Sequence, residues 1–344
     1  MTLAAVFGLA GPHLGLDEAA FFRAVRPFGF ILFRRNLNDP AQVRGLVADL
    51  RDCVEGDRTL LFVDQEGGRV QRLSPPHWRQ APAAAVLGGL WAAAPERARE
   101  ATRLNALLLG LELAELGIDV NCAPCLDVPA AGADPVIGNR AFADDPAIVG
   151  QLGRAMAAGL AAAGVRPVIK HIPGHGRCTA DSHLALPRVA APLSALARDF
   201  APFMALRDAT MAMTAHAVYE ALDPALPATL STTVIDGTIR GRIGFEGLLL
   251  SDDLCMRALS GSLEERTRTA LDAGIDVVLH CDGDLPAMRQ VAAAARTLSG
   301  RALEWGERAR SAPPAAMRPR RREVEQRLAA LLGEGAATGQ IAPT

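Results

Sequence analysis

The chain holds 344 residues, half of them apolar, with 36 basic and 38 acidic side chains and a net charge of −2. That balance leaves no global electrostatic footprint for nucleic acid or an anionic membrane, so the expected partner is a small molecule. The length fits one large barrel or two ordinary domains.

Short apolar runs recur along the whole sequence: Ala4–Ala10, Gly29–Phe33, Leu60–Val63, Asp119–Ala123, Val165–Ile169, Met211–Ala215, Gly247–Leu250 and Ile275–Leu279. They are continuous, not alternating, as parallel strands covered on both sides should be. Helical patterns fill the gaps. Leu16–Val25 follows the first run, and Pro40–Val54 follows the second, with Asp39 as N-cap and Pro40 in the first helical position. Glu96–Leu116 comes next, and Asp145-Pro146 opens a long amphipathic stretch to Ala163. Leu193–Leu206, Ser262–Ala273 and Asp284–Leu298 supply the rest, most of them ending near a glycine such as Gly117, Gly164 or Gly274. Eight strand and helix alternations predict an α/β fold, a single (β/α)8 TIM-type barrel over residues 1–300. Residues 301–344 read as a C-terminal helical extension. Its basic run at 318–322 is a solvated face, Val324–Leu332 forms a final helix on the outside of the barrel, and the last residues fray.

The N-terminus lacks a basic region, Gly8 and Gly11 interrupt its apolar stretch, and no run approaches the roughly 18 apolar residues of a membrane helix. The expected state is a cytoplasmic monomer with no membrane or nucleic-acid partner. Of six scattered cysteines, only Cys122 and Cys125 form a C-x-x-C. Their place inside an apolar run marks them as buried thiols in a reducing compartment, not as a zinc or redox pair. No cofactor is predicted.

Chemistry concentrates between Lys170 and Leu186, where Lys170, His171, His175, Asp181 and His183 follow the fifth apolar run and the segment after His171 reads as a loop. In a barrel the working face is the C-terminal end of the strands. Asp64, Lys170, His171, His216, Asp252, His280 and Asp282 all fall there, each after its strand. Adjacent strand residues point to opposite faces, so at most one of Asp252 and Asp253 meets the barrel mouth. Asp252 is assigned to it, as nucleophile, general base or metal ligand, and Asp253 to a cap or a supporting hydrogen bond. Asp181 lies two residues before His183, a spacing that lets the carboxylate hold one ring nitrogen while the other shuttles a proton. Asp64 and Arg72 flank a glycine pair and offer directional partners for sugar hydroxyls. Arg140 is ambiguous alone. A metal-dependent barrel hydrolase, with His171, His175, His216, His280 and Asp252 as ligands, is the rival class; the first strand offers it no paired histidines.

Five blocks, VDQEGGRVQRL (63–73), IGNRAF (137–142), KHIPGHG with DSHLALP (170–187), MTAHAVY (213–219) and GLLLSDDLCM (247–256), resemble the family 3 glycoside hydrolases. Within that family they are similar to the single-domain bacterial β-N-acetylglucosaminidases of cell-wall recycling. The resemblance implies Asp252 as catalytic nucleophile and His183 as acid/base, polarised by Asp181. It implies that Asp64, Arg72, Arg140, Lys170 and His171 hold N-acetylglucosamine in the −1 subsite, with no metal. The implied reaction is retaining hydrolysis that removes a terminal N-acetylglucosamine from GlcNAc-1,6-anhydro-MurNAc, with or without peptide. Phosphorolysis, or a different sugar, is the alternative within the family. Aromatic residues make up only 4% of the chain, which argues against a long polysaccharide cleft built on stacking surfaces. Arg177-Cys178 departs from the Asp-Thr usual after GHG, which puts the loop conformation in question. The sandwich domain that supplies the acid/base in many relatives is absent from this sequence, which fits a histidine in that role.

Overall fold

All eight expected strands form, and a helix follows each, in the computed structural model of the chain, which describes residues 1–54, 59–311 and 320–333. The strands are β1 (Leu3–Phe7), β2 (Pro27–Leu32), β3 (Leu60–Val63), β4 (Val120–Asn121), β5, β6 (Met211–Thr214), β7 (Leu248–Asp253) and β8 (Val277–His280). Strand β5 comes in two halves, Arg166–Pro167 and Ile169–Ile172, on either side of Val168. The helices are α1 (Leu16–Val25), α2 (Pro40–Cys53), α3 (Pro95–Glu115), α4 (Pro146–Ala162), α5 (Leu193–Ala205), the π-helical α6 (Thr233–Arg242), α7 (Leu263–Ala273) and α8 (Leu285–Ala294).

The barrel closes through the divided strand. Its first half pairs with β4, Val120 opposite Arg166, and its second half pairs with β6, Ala212 opposite Ile169. The remaining neighbours run β4, β3, β2, β1, β8, β7, β6, every pairing parallel. The architecture is therefore the (β/α)8 barrel. Every residue of β2 is buried, which explains why its run was apolar without alternation: one face meets the barrel interior and the other meets the helices.

Local signals acted as expected at most helix ends. Asp39 Oδ1 accepts from the N–H groups of Ala41 and Gln42, and Asp145 Oδ1 accepts from Ala147 and Ile148. Gly117, Gly164 and Gly274 take φ values of 78°, 84° and 112°, the left-handed region that stops a helix at little cost. Some expectations are corrected. Lys170 and His171 lie within β5, Asp252 within β7 and His280 within β8, not beyond them, because a barrel strand keeps its ladder while its last residues turn polar toward the mouth. Helix α8 stops at Ala294, well short of Leu298. The chain then runs antiparallel beside β1, with Ala4 N–H donating to Arg296 O and Leu298 N–H to Thr2 O, each at 2.9 Å.

Beyond the barrel, α9 (Gly300–Arg310) and α10 (Arg321–Leu332) follow. Arg310 reaches Thr2 Oγ1 at 3.1 Å, closing the N-terminal end of the barrel. Helix α10 starts earlier than its apolar run, and it buries Val324, Leu328 and Leu331. It is tied to α3 by Arg321 on Glu112 and Arg327 on Glu100. Arg318, in the basic run, and the tail from residue 334 expected to fray lie outside the described residues.

Candidate active site

Three strand ends feed one ionic network. Lys170, on β5, donates through Nζ to Asp64 Oδ1 at 2.6 Å and stands 2.8 Å from Glu66 Oε1. Arg72 reaches the other Asp64 oxygen at 3.2 Å. Arg140 grips Glu66 with two parallel bonds, Nε to Oε2 at 2.9 Å and Nη2 to Oε1 at 2.8 Å. The same Nη2 lies 3.5 Å from His171 Nε2. On its far side, His171 Nδ1 donates to Asp127 Oδ2 at 2.7 Å. Asp64, Arg72, Arg140, Lys170 and His171 are thus brought together along one wall.

Glu66 and Asp127 were not anticipated. Glu66 sits two residues after Asp64, hence on the same face of the extended segment, and that spacing could have exposed it. Asp127 follows the C-x-x-C, and only its contacts explain it. It accepts from the Cys125 thiol at 3.1 Å, and Oδ1 accepts from His175 N–H at 2.6 Å. Burial opposes ionisation of all three carboxyls, but their hydrogen-bonded neighbours overcome it. Arg140 and Lys170 bring Glu66 down to about 2. Lys170 and Arg72 hold Asp64 well below the usual carboxylate range, and His171 does the same for Asp127.

Glu66 is therefore a stability element, and its folded pKa lies below the unfolded value near 4.5. A depressed carboxyl contributes stability that is complete above the unfolded pKa and lost as pH falls through the folded one. Removing one partner of a buried pair typically costs about 3–5 kcal/mol. Glu66→Gln, which leaves Arg140 without its carboxylate and Lys170 with Asp64 alone, is expected to lose that much in urea unfolding at pH 7. Its deficit against the wild type should shrink between about pH 4.5 and 2; a gap constant with pH would deny the ionic role.

At the end of β7, Asp252 is partly exposed. Its Oδ1 accepts from Asp253 N–H at 2.8 Å. Burial raises its pKa, but His171 and then His216 outweigh this, and the carboxyl stays below the ordinary range, with a smaller contribution from His183. His216 is fully buried, its Nε2 donating to the Asp253 carbonyl at 3.0 Å and its Nδ1 standing 2.7 Å from Thr229 Oγ1. Asp253 turns to the backbone instead, accepting from Cys255 and Cys281 N–H at 3.0 and 3.1 Å.

Asp181 and His183 sit on the loop after β5. Asp181 Oδ1 takes both the backbone N–H and the Nδ1–H of His183, at 2.9 and 2.7 Å. The imidazole is 65% exposed, which leaves Nε2 open to a substrate. Between them, Ser182 is 3% exposed and held twice. Its Oγ is 3.2 Å from His175 Nε2, and its carbonyl accepts from Ala258 N–H, in the loop after β7, at 3.2 Å. That second contact ties the loop carrying His183 to the segment that follows β7. Burial, then His171, pushes His175 down to about 4, so it is a neutral post for the loop. The same loop passes so close to the exit of β4 that a Cβ on Gly176 would stand 2.0 Å from Val128 O. Arg177 pairs with Asp199 of α5 at 2.5 Å.

The five ligands imagined for a metal hydrolase do not converge. Among the described residues, the groups of three close donors are Cys125, Asp127 and His171, and Asp253, Cys255 and His280. All six cysteines are free, with Cys122 and Cys125 buried.

Residues 25–304 match the Glycosyl hydrolase family 3 N terminal domain. The chain is 42% identical over 282 residues to a beta-hexosaminidase of Alkalilimnicola ehrlichii, covering 80% of each chain. It is 38% identical to one of Xanthomonas campestris, covering 87% of this chain and 90% of that one. Among solved structures it is similar to NagZ from Neisseria gonorrhoeae in complex with N-trifluoroacetyl-D-glucosamine, with a TM-score of 0.86 and 32% identity, over 96% of this chain and 98% of that one. A family 3 β-N-acetylglucosaminidase from Paenibacillus superposes with a TM-score of 0.79 at 32% identity, over 97% of this chain and 62% of that one.

Proposed function

Because the chain belongs to glycosyl hydrolase family 3, we propose that it removes terminal N-acetylglucosamine by double displacement through a glycosyl-aspartate. It is a glycoside hydrolase, a β-hexosaminidase like its relatives. One observation carries the mechanism: the strand whose end bears the ionised Asp252 carboxylate continues into a segment tied, through Ser182, to the loop with the His183–Asp181 pair. Asp252 attacks the anomeric carbon while the His183 imidazolium gives its Nε2 proton to the departing oxygen. Asp181 keeps Nδ1–H and orients the ring. In the second half, His183 takes a proton from water, which attacks the anomeric carbon and releases Asp252.

Asp64, Arg72, Lys170, Arg140 and His171 hold the sugar. Their charges are already paired, Lys170 and Arg72 with Asp64, Arg140 with Glu66 and His171 with Asp127, so they present fixed donors and acceptors at low reorganisation cost. The proposed substrate is GlcNAc-1,6-anhydro-MurNAc, with or without peptide, cleaved by a monomer in the cytoplasm. A small acceptor side agrees with the scarcity of aromatic residues, and no helix among the described residues is long and apolar enough to cross a membrane.

The decisive test is trapping with a 5-fluoro N-acetylglucosaminyl donor, followed by peptide mapping. The label is expected on Asp252. A substrate-assisted route, in which the 2-acetamido oxygen replaces the enzyme carboxylate, leaves that residue unlabelled and overturns the proposal.

A further inference from the structure

At the ends of β7 and β8, Asp253, Cys255 and His280 bring a carboxylate oxygen, a sulfur and a ring nitrogen within 4.8 Å of one another. Hydrolysis leaves this cluster unused. Cys255 Sγ stands 2.8 Å from His280 Nδ1, and His280 Nε2 stands 2.8 Å from Asp282 Oδ1. A carboxylate only accepts, so Nε2 carries the ring proton and Nδ1 turns its lone pair toward the sulfur. A carboxylate on the far nitrogen is the usual device that orients a metal-binding histidine. The frame is rigid, since His280 is wholly buried and Asp253 is anchored by two backbone N–H groups. It is also accessible: Cys255 is partly exposed and the Asp282 side chain is 45% exposed.

We propose that Cys255 Sγ, His280 Nδ1 and the Asp253 carboxylate bind a borderline divalent cation, zinc above all, with water or Asp282 Oδ2 in the fourth position. One sulfur, one imidazole and one carboxylate form a donor set suited to zinc, whereas magnesium and calcium select oxygen alone. The thiolate and the carboxylate together neutralise the dication. Binding releases the thiol proton to solvent and changes no oxidation state. With Zn–S near 2.3 Å and Zn–N near 2.0 Å, a tetrahedral ion needs the sulfur and nitrogen about 3.5 Å apart. The pair must therefore open by roughly 0.7 Å from its present separation, a side-chain adjustment. Asp282 Oδ2 lies 3.5 Å from Sγ and borders the same position.

The test does not depend on the reaction. Metal-free full-length protein is titrated with Zn²⁺ and separately with Co²⁺, whose bond to a thiolate gives a near-ultraviolet charge-transfer band. One equivalent of Zn²⁺ is expected to bind, and the cobalt band should vanish in Cys255→Ser. Asp282→Asn should bind Zn²⁺ about 10–100-fold more weakly, the usual loss when the orienting carboxylate is removed. That variant, at a partly exposed position, carries the test should Cys255→Ser fold poorly by circular dichroism. Loss of the band in Cys125→Ser instead would move the ion to Cys125, Asp127 and His171 and overturn the proposal. So would absence of stoichiometric Zn²⁺ binding, or wild-type titrations in both Cys255→Ser and Asp282→Asn.

Discussion

Asp252→Asn is expected to lower kcat/KM about 10⁴-fold or more, roughly 5 kcal/mol of transition-state stabilisation, the scale of removing a covalent nucleophile. The amide keeps the size of the side chain and can still meet Asp253 N–H, so circular dichroism and the melting temperature should change little. The loss then belongs to chemistry. His171 and His216 favour the carboxylate over the neutral acid, so in the wild type the nucleophile is ionised throughout the physiological range. Its activity should fall on the acid side only as pH passes below the ordinary carboxylate value, because the deprotonated form attacks. In Asp252→Gly, azide should enter the vacated space and attack the same face of the sugar, restoring turnover with an α-glycosyl azide as product. An asparagine variant within tenfold of wild type, or a β-azide from the glycine variant, would assign the nucleophile elsewhere.

Much of this was legible locally. The Asp-Pro pairs at 39–40 and 145–146 start helices through the cap bonds their chemistry predicts, and Leu60–Val63 and Leu16–Val25 form with the boundaries their apolar patterns imply. Placement of Asp64, Lys170 and Asp252 at the barrel mouth followed from one rule about strand ends. What escaped depends on long-range pairing. Asp127 is explained by His171, 44 residues away, and no periodicity in a short window carries such a contact. The spacing from Asp64 could have put Glu66 on the right face, but its partner Arg140 is 74 residues away. The halt of α8 at Ala294 was hidden for the same reason: the alanine-rich sequence suits a helix, but backbone bonds to Thr2 and Ala4 compete for the residues that follow. The π-helical α6 and the helix α9 had no apolar run distinct enough to announce them.

His183→Gly should behave differently according to the leaving group, and that contrast identifies the proton donor. A positioned acid is worth about 10²–10⁴ in rate when the leaving oxygen needs the proton. For a disaccharide with an alkoxide leaving group, the variant should lose that factor in kcat/KM. An aryl glycoside whose phenolate departs unaided should lose much less. With such a substrate the glycosyl-enzyme forms but no base activates water, so a burst followed by slow turnover is expected. Azide needs no base, and it should speed the second step and give a β-glycosyl azide, the opposite anomer to that from Asp252→Gly. Asp181→Asn keeps the ring present but weakens its hold on Nδ1–H, so its defect should lie between wild type and His183→Gly for the poor leaving group. Equal slowing of both substrates by His183→Gly would remove the histidine from the acid role. The 65% exposure of His183 is then informative: a proton donor on a loop that meets solvent can serve both the departing aglycone and the incoming water from one position, while Asp252, less exposed, is left to meet the sugar.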